Sequence, residues 1–493
     1  MTKEEFDKKS FFKILGIVLL FSICLFPYNY CSDIYNVMDV GYSEYAKEWF
    51  APAGRTIGMC VLFLFEKLQI PIQMYISIMK ILAVIIATYT IYIFYNMILE
   101  VIQCKDEKDN AKKKYIFIAT IITFLNMASY QYFYYAESAV MWMGVLFTVL
   151  AVKSVITEKK KCKYLKAFIL LFIAMNCYQS TILFFIPATL LFLGMKKDKL
   201  IKIIAEIIKL SILVGICLLL GYFIIQSLTE YFEIVPFRNN EIAIKKESIV
   251  TILKYLIMQN HDEIGYNFSY LIINVFSIVI ILILKKKFIK KEKKIAVLII
   301  IFIIMSSFMQ TWGIVSLVDY YFADRIQFAY LSTIGLSFLF FMMYTNILDS
   351  KYFKKIFCTF LTIFLIYMIA KSNYISILNR EVRNKDDLEG KKIAEIIERY
   401  EQVNGCEITE VRYCVDNMVR YHCIYVDPFG EPTFRILGSP WVFESALRYY
   451  IGYDIKVLQC QYIFKEIFNN KDWDEFNEGQ IKFEDNIMYF SIY

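Results

Sequence analysis

FFKILGIVLLFSICLFPYNYC, Phe11–Cys31, runs directly into SDIYNVMDVGYSEYAKEWFAPAGR, Ser32–Arg55, and the junction of these two stretches decides the fold. The first is an apolar run of membrane-spanning length with a Lys-flanked start. It lacks a small-residue cleavage site and is followed by many further apolar runs, so it reads as a retained anchor and not as a signal peptide. The second sets Asp33, Asp39, Glu44, Glu48 and Arg55 among Tyr35, Tyr42, Tyr45, Trp49 and Phe50. A long loop of this content beside a membrane is functional more often than a mere connector. The alternative is an amphipathic surface helix whose charges are simply solvated.

Outward from that junction the chain stays apolar. Its 493 residues are 58% hydrophobic and only 20% charged, and no soluble core of this size requires so many apolar segments. Spans are expected at 11–31, 74–100, 114–128, 138–156, 165–176, 181–195, 203–227, 265–284, 295–311, 326–345 and 356–372, about eleven in all. Glu66, Lys67 and Gln69 interrupt the 57–73 segment and Pro71 ends it, so it reads as a helix lying in the outer interface. The fold class is therefore an all-α polytopic membrane protein, residues 1–372, with a small C-terminal α/β domain, residues 373–493. With this assignment the Lys clusters fall on one side, 28 Lys against 6 Lys or Arg in the opposite loops. The positive-inside rule then makes the N-terminus cytoplasmic and the tail extracytoplasmic. The net charge of +7 reports orientation and not a nucleic-acid footprint.

Carboxylates, aromatics and arginines gather on the outer side. Glu137 opens the fourth span after Tyr130, Tyr132, Tyr134 and Tyr135, which are expected to form an aromatic belt at the outer interface. Tyr178 and Gln179 lie between two short apolar helices whose junction faces outward, a pattern able to line a cavity. Asp324 and Arg325 precede the tenth span, either as an interfacial ion pair or with Arg325 as a planar donor fork for a phosphate. The tail is net acidic, with a helix at 386–402, a strand at 407–415, a helix at 441–450 and a terminal strand pair over 481–493 turning near Asp485-Asn486. Spacing fixes no pairing among Cys406, Cys414, Cys423 and Cys460, which are read as thiols. With 2 His and no CxxC a zinc site is not expected, and no Gly-rich phosphate loop or Ser–His–Asp arrangement stands out.

One span, an outer loop with Asp33-Ile-Tyr35, Trp49 and Gly54-Arg55, an interfacial helix, an outer-facing Glu137, and Tyr178-Gln179 between short helices form an ordered set. Over residues 10–350 it resembles bacterial glucosyltransferase family II, the O-antigen-modifying type, within the GT-C superfamily of polyprenol-phosphate-sugar-dependent membrane glycosyltransferases. The resemblance implies transfer of a hexose, glucose by analogy, from an undecaprenyl-phosphate carrier to a surface polysaccharide or lipid-linked glycan outside a bacterial cytoplasmic membrane. It implies catalytic carboxylates in loop 32–73, with Asp33 the expected base and Asp39 either cooperating with it, orienting the acceptor or binding a divalent cation. Arg55, Trp49, Glu137, Tyr178, Gln179, Asp324 and Arg325 are the expected substrate-binding residues. The expected partners are the lipid-linked donor, the glycan acceptor, the bilayer, and a companion flippase and donor-lipid synthase. Two competing readings are a polysaccharide polymerase, disfavoured by the middling 228–264 loop, and a flippase or transporter, disfavoured by the scatter of Lys80, Lys153 and Lys209.

Overall fold

The computed structural model describes residues 7–26, 31–102, 110–157, 162–193, 200–234, 324–344, 351–416, 435–438 and 440–492. The expected spans at 265–284 and 295–311 lie outside these residues, as does Cys423. The described chain is mostly helical. It runs α1 (Lys8–Ser22), α2 (Ser32–Tyr45), α3 (Thr56–Lys67), α4 (Ile72–Ile102), α5 (Asn110–Phe124), α6 (Met127–Tyr134) and α7 (Ser138–Thr157). Then follow α8 (Lys163–Cys177), a 3-10 segment Gln179–Phe184, α9 (Phe185–Leu193), α10 (Leu200–Tyr231), α11 (Phe328–Tyr344) and α12 (Lys351–Asn404). Among the described residues four helices, α4, α7, α10 and α12, are long and apolar enough to cross a bilayer, or five if the bent pair α5–α6 is one span.

Local chemistry explains the breaks. Asp7 caps α1, accepting from the Ser10 N–H at 3.2 Å. Inside the apolar 114–134 stretch, Asn126 takes extended backbone and forms a reciprocal cap with Ser129. Asn126 Oδ1 accepts from Ser129 N at 3.0 Å and Ser129 Oγ accepts from Asn126 N at 2.9 Å. The chain bends by 60° there. With 12 residues, α3 is about 18 Å long, short of the ~30 Å hydrocarbon layer.

The bend corrects one expectation. Tyr130, Tyr132, Tyr134 and Tyr135 are not a lipid-facing belt; all four are at most 2% exposed. Turning at Asn126 sends α6 back into the protein, where Tyr132 stacks on Phe328 at 5.2 Å and meets Trp142 edge-on at 6.2 Å.

In the tail, β1 (Glu410–Val415), α13 (Pro440–Ile451), β2 (Lys456–Gln459), α14 (Ile463–Glu466), β3 (Ile481–Glu484) and β4 (Ile487–Ile492) build a four-stranded sheet in the order β2-β1-β4-β3. β1 runs parallel to both neighbours, with Glu410 opposite Lys456 and Ile487. β3 and β4 form the expected hairpin, Ile481 opposite Phe490. The 54-residue α12 passes unbroken across the 372/373 position. Its far half supplies Ile393 and Ile397 to the tail core beside Val411, Phe443 and Met488. Cys406, Cys414 and Cys460 are free thiols.

Candidate functional site

Asp33 lies in the first turn of α2, where the N-cap position belongs to Cys31. A carboxylate there is favoured by the helix dipole without acting as the cap. Cys31 sits against the backbone of Ala136, which brings the start of α2 beside Glu137. α2 continues to Gly41, whose φ of 84° interrupts the helix, and a π-helical turn over Ala46–Phe50 carries Trp49. The Trp49 ring stacks on Tyr45 at 6.2 Å.

Gly54 has φ +66°, and a Cβ on it would fall 2.7 Å from Gln179 Nε2 and 2.8 Å from Ile225 Cδ1. Only glycine suits both the left-handed backbone and that close approach. The turn delivers Arg55, whose Nη1 donates to Glu137 Oε1 at 2.9 Å. Its guanidinium also lies 5.0 Å from the Tyr178 ring and 5.5 Å from Phe50. The next residue, Thr56, donates from Oγ1 to Asn176 Oδ1 at 2.6 Å. The end of α8 and the Tyr178-Gln179 junction are thereby fixed against the segment 32–56.

Arg325 arrives from the other side on the 3-10 turn Asp324–Gln327. Its N–H donates to Gln131 Oε1 at 3.3 Å and its carbonyl accepts from Tyr132 Oη at 3.0 Å. The guanidinium lies 4.5 Å from the Tyr135 ring and donates to the Tyr135 hydroxyl. The Asp324 side chain, and with it the expected pair with Arg325, lies outside what the structure describes.

Asp33, Arg55 and Arg325 all act on Glu137, which is 3% exposed. Burial pushes the Glu137 carboxyl up, Arg55 pulls it back down, and Asp33 pushes it further up. Arg55, Glu137 and Tyr178 are thus in direct contact, with the charges of Asp33 and Arg325 near enough to act on Glu137. Such a cluster can accept an anion on its guanidinium forks and a proton on a carboxylate.

Asp39 does not join it. Its Oδ2 accepts from Arg448 Nη1 and from Ser445 Oγ, both at 3.0 Å. Among the described residues no three His, Cys, Asp or Glu side chains gather into a metal site. A second buried network escaped the sequence reading. Asp386 accepts from Arg383 and Arg435, both at 3.1 Å, and from the Ile436 N–H at 2.8 Å, while Arg435 also pairs with Glu389. Arg383 reaches the Tyr134 hydroxyl at 3.3 Å, next to the Tyr135 that holds Arg325. The four tyrosines of 130–135 were the available signal, since so many hydroxyls near one helix end need buried donors or acceptors as much as they suit a belt. No family model matches the sequence, and no curated protein matches it.

Proposed function

We propose that the chain is a GT-C-like membrane glycosyltransferase of about eleven spans. It transfers a hexose, glucose by resemblance, from an undecaprenyl-phosphate carrier to a surface polysaccharide or lipid-linked glycan on the outer face of a bacterial cytoplasmic membrane. The observation that carries the reading is the contact of Arg55 with Glu137 and Tyr178, with Asp33 and Arg325 near enough to act on Glu137.

Each requirement of the reaction has a group to serve it. The acceptor hydroxyl attacks the anomeric carbon while the bond from that carbon to the phosphate oxygen breaks, and the phosphate keeps the electron pair. Asp33 takes the hydroxyl proton, help of typically ~10²–10⁴-fold for a poor nucleophile. The charge developing on the leaving phosphate is met by the positive charge of Arg325, with Arg55 in support. In an inverting course Asp33 faces the acceptor and the phosphate departs towards Arg325. Glu137 holds Arg55, and the Tyr178 ring flanks its guanidinium.

The test is Asp33→Asn in the full-length protein, supplied with undecaprenyl-phosphoglucose and acceptor-bearing membranes. Normal insertion with almost no transfer is expected, and substantial turnover would remove Asp33 from the role of base. At the level of the cell, loss of the gene should delete one side-branch hexose from a surface glycan. Loss of chain length would point to a polymerase instead.

A further inference from the structure

The C-terminal domain grips the same short helix that carries Asp33. Tyr35 lies roughly half a turn around α2 from Asp33 and is buried in the tail core with Ile393, Val442 and Phe443. Its ring meets Tyr449 edge-on at 5.4 Å, and its hydroxyl lies 3.4 Å from that of Tyr450. Asp39 follows one turn later on the same face, held by Arg448 and Ser445. Ile34 and Val37, with Cys31 at the N-cap, pack in the core of the helical domain. Arg448 is itself anchored within the tail, donating to the Ile455 carbonyl at 3.1 Å and pairing with Asp454 at 2.9 Å and with Glu444. Gly41 breaks α2 two residues after Asp39, so the segment 32–40 is seated by these two sets of contacts independently of the turn that delivers Arg55.

We propose that Arg448 is a positioning residue: through Asp39 it seats α2 against the helical domain and so fixes Asp33 beside Glu137. Its consequence for catalysis rests on the transferase reading above. The seating itself does not.

The experiment uses full-length protein in which Cys31, 1% exposed, is the sole remaining cysteine, and follows its reaction with N-ethylmaleimide. Asp39→Ala and Arg448→Ala should each speed labelling by about tenfold, as local opening of a docked segment does. The exchanged pair Asp39→Arg with Arg448→Asp should return the rate towards that of the parent. Glu444→Ala, which keeps both partners of the Asp39–Arg448 pair, should change it less than either alanine variant. With undecaprenyl-phosphoglucose as donor, the two alanine variants should lose kcat while the donor KM holds, because Arg55 and Arg325 are untouched. Unchanged Cys31 labelling in both alanine variants would overturn the proposal, and so would faster labelling with an unaltered kcat. Faster labelling in a protein whose parent consumes no undecaprenyl-phosphoglucose would support the seating and reject the donor.

Discussion

Arg55 and Glu137 form a pair whose side chains are 19% and 4% exposed. Burying two charges is costly, and removing one partner strands the other, a loss of about 3–5 kcal/mol. Arg55→Met should therefore destabilise strongly, whereas Arg55→Met combined with Glu137→Leu should cost less than the single change. The pH dependence has a definite sign. Without Arg55 the Glu137 carboxyl loses its strongest downward pull and burial outweighs the weaker one of Arg325, so the folded state binds the proton more tightly than the unfolded chain. Stability is then retained below the unfolded pKa and lost as pH rises through the folded one. The Tm deficit of Arg55→Met in detergent should be smaller near about pH 5 than near about pH 8, and a deficit independent of pH would show that Glu137 does not titrate there. Arg325→Lys keeps the charge but loses the fork. It should insert normally and use donor poorly, while wild-type kinetics for both Arg325→Lys and Arg325→Ala would remove Arg325 from the phosphate.

At the scale of elements, the helices that depend on composition were legible in the chain: α4, α7 and α10 follow from long, predominantly apolar runs, and the β3–β4 hairpin follows from alternation around Asp485-Asn486. The bend after α5 was not, because it arises from a reciprocal hydrogen bond between Asn126 and Ser129 buried in an otherwise apolar run. Asn126→Ala should cost ~1 kcal/mol for the cap, and more if its contact to Ser332 Oγ at 3.3 Å also counts. The continuity of α12 was hidden for the opposite reason: the apolar pattern stops near Ser372 but no Pro follows within the helix, and Gly390 does not break it. For the candidate site, the residue types around Ser32–Arg55 were readable, whereas their partners were not. Arg55 and Glu137 are 82 residues apart in the chain, and Asp39 and Arg448 are 409 apart, distances over which local pattern carries no information. Gly54 shows where the two kinds of information meet. Gly54→Ala should lower Tm by forcing a Cβ onto a positive φ and into the Gln179 amide, a strain of about 1–3 kcal/mol.

Across the whole molecule, the contact between α2 and α13 constrains topology without reference to any bilayer. Because Arg448 of the tail holds Asp39 of the first loop, the tail and that loop must lie on the same side of the membrane. α12 supplies the connection: at 1.5 Å per residue its 54 residues extend about 80 Å, enough to cross a ~30 Å hydrocarbon layer and still reach the sheet. For which side this is, the 28 Lys expected in the opposite loops against 6 Lys or Arg in the loops shared with α2 give an expectation by the positive-inside rule, with the Lys clusters cytoplasmic. Single cysteines at Ser43, in the first loop, and at Asn404, at the exposed end of α12, should therefore react together with a membrane-impermeant maleimide on intact cells. One at Asn110, in a Lys-rich loop, should react only after the membrane is opened. The two halves of the inference fail in different ways. Labelling of Ser43 without Asn404 would break the docking of the tail on α2, whereas labelling of Asn110 alone would keep the docking and invert the orientation, moving the candidate site to the face where a donor would have to be reached from the cytoplasm.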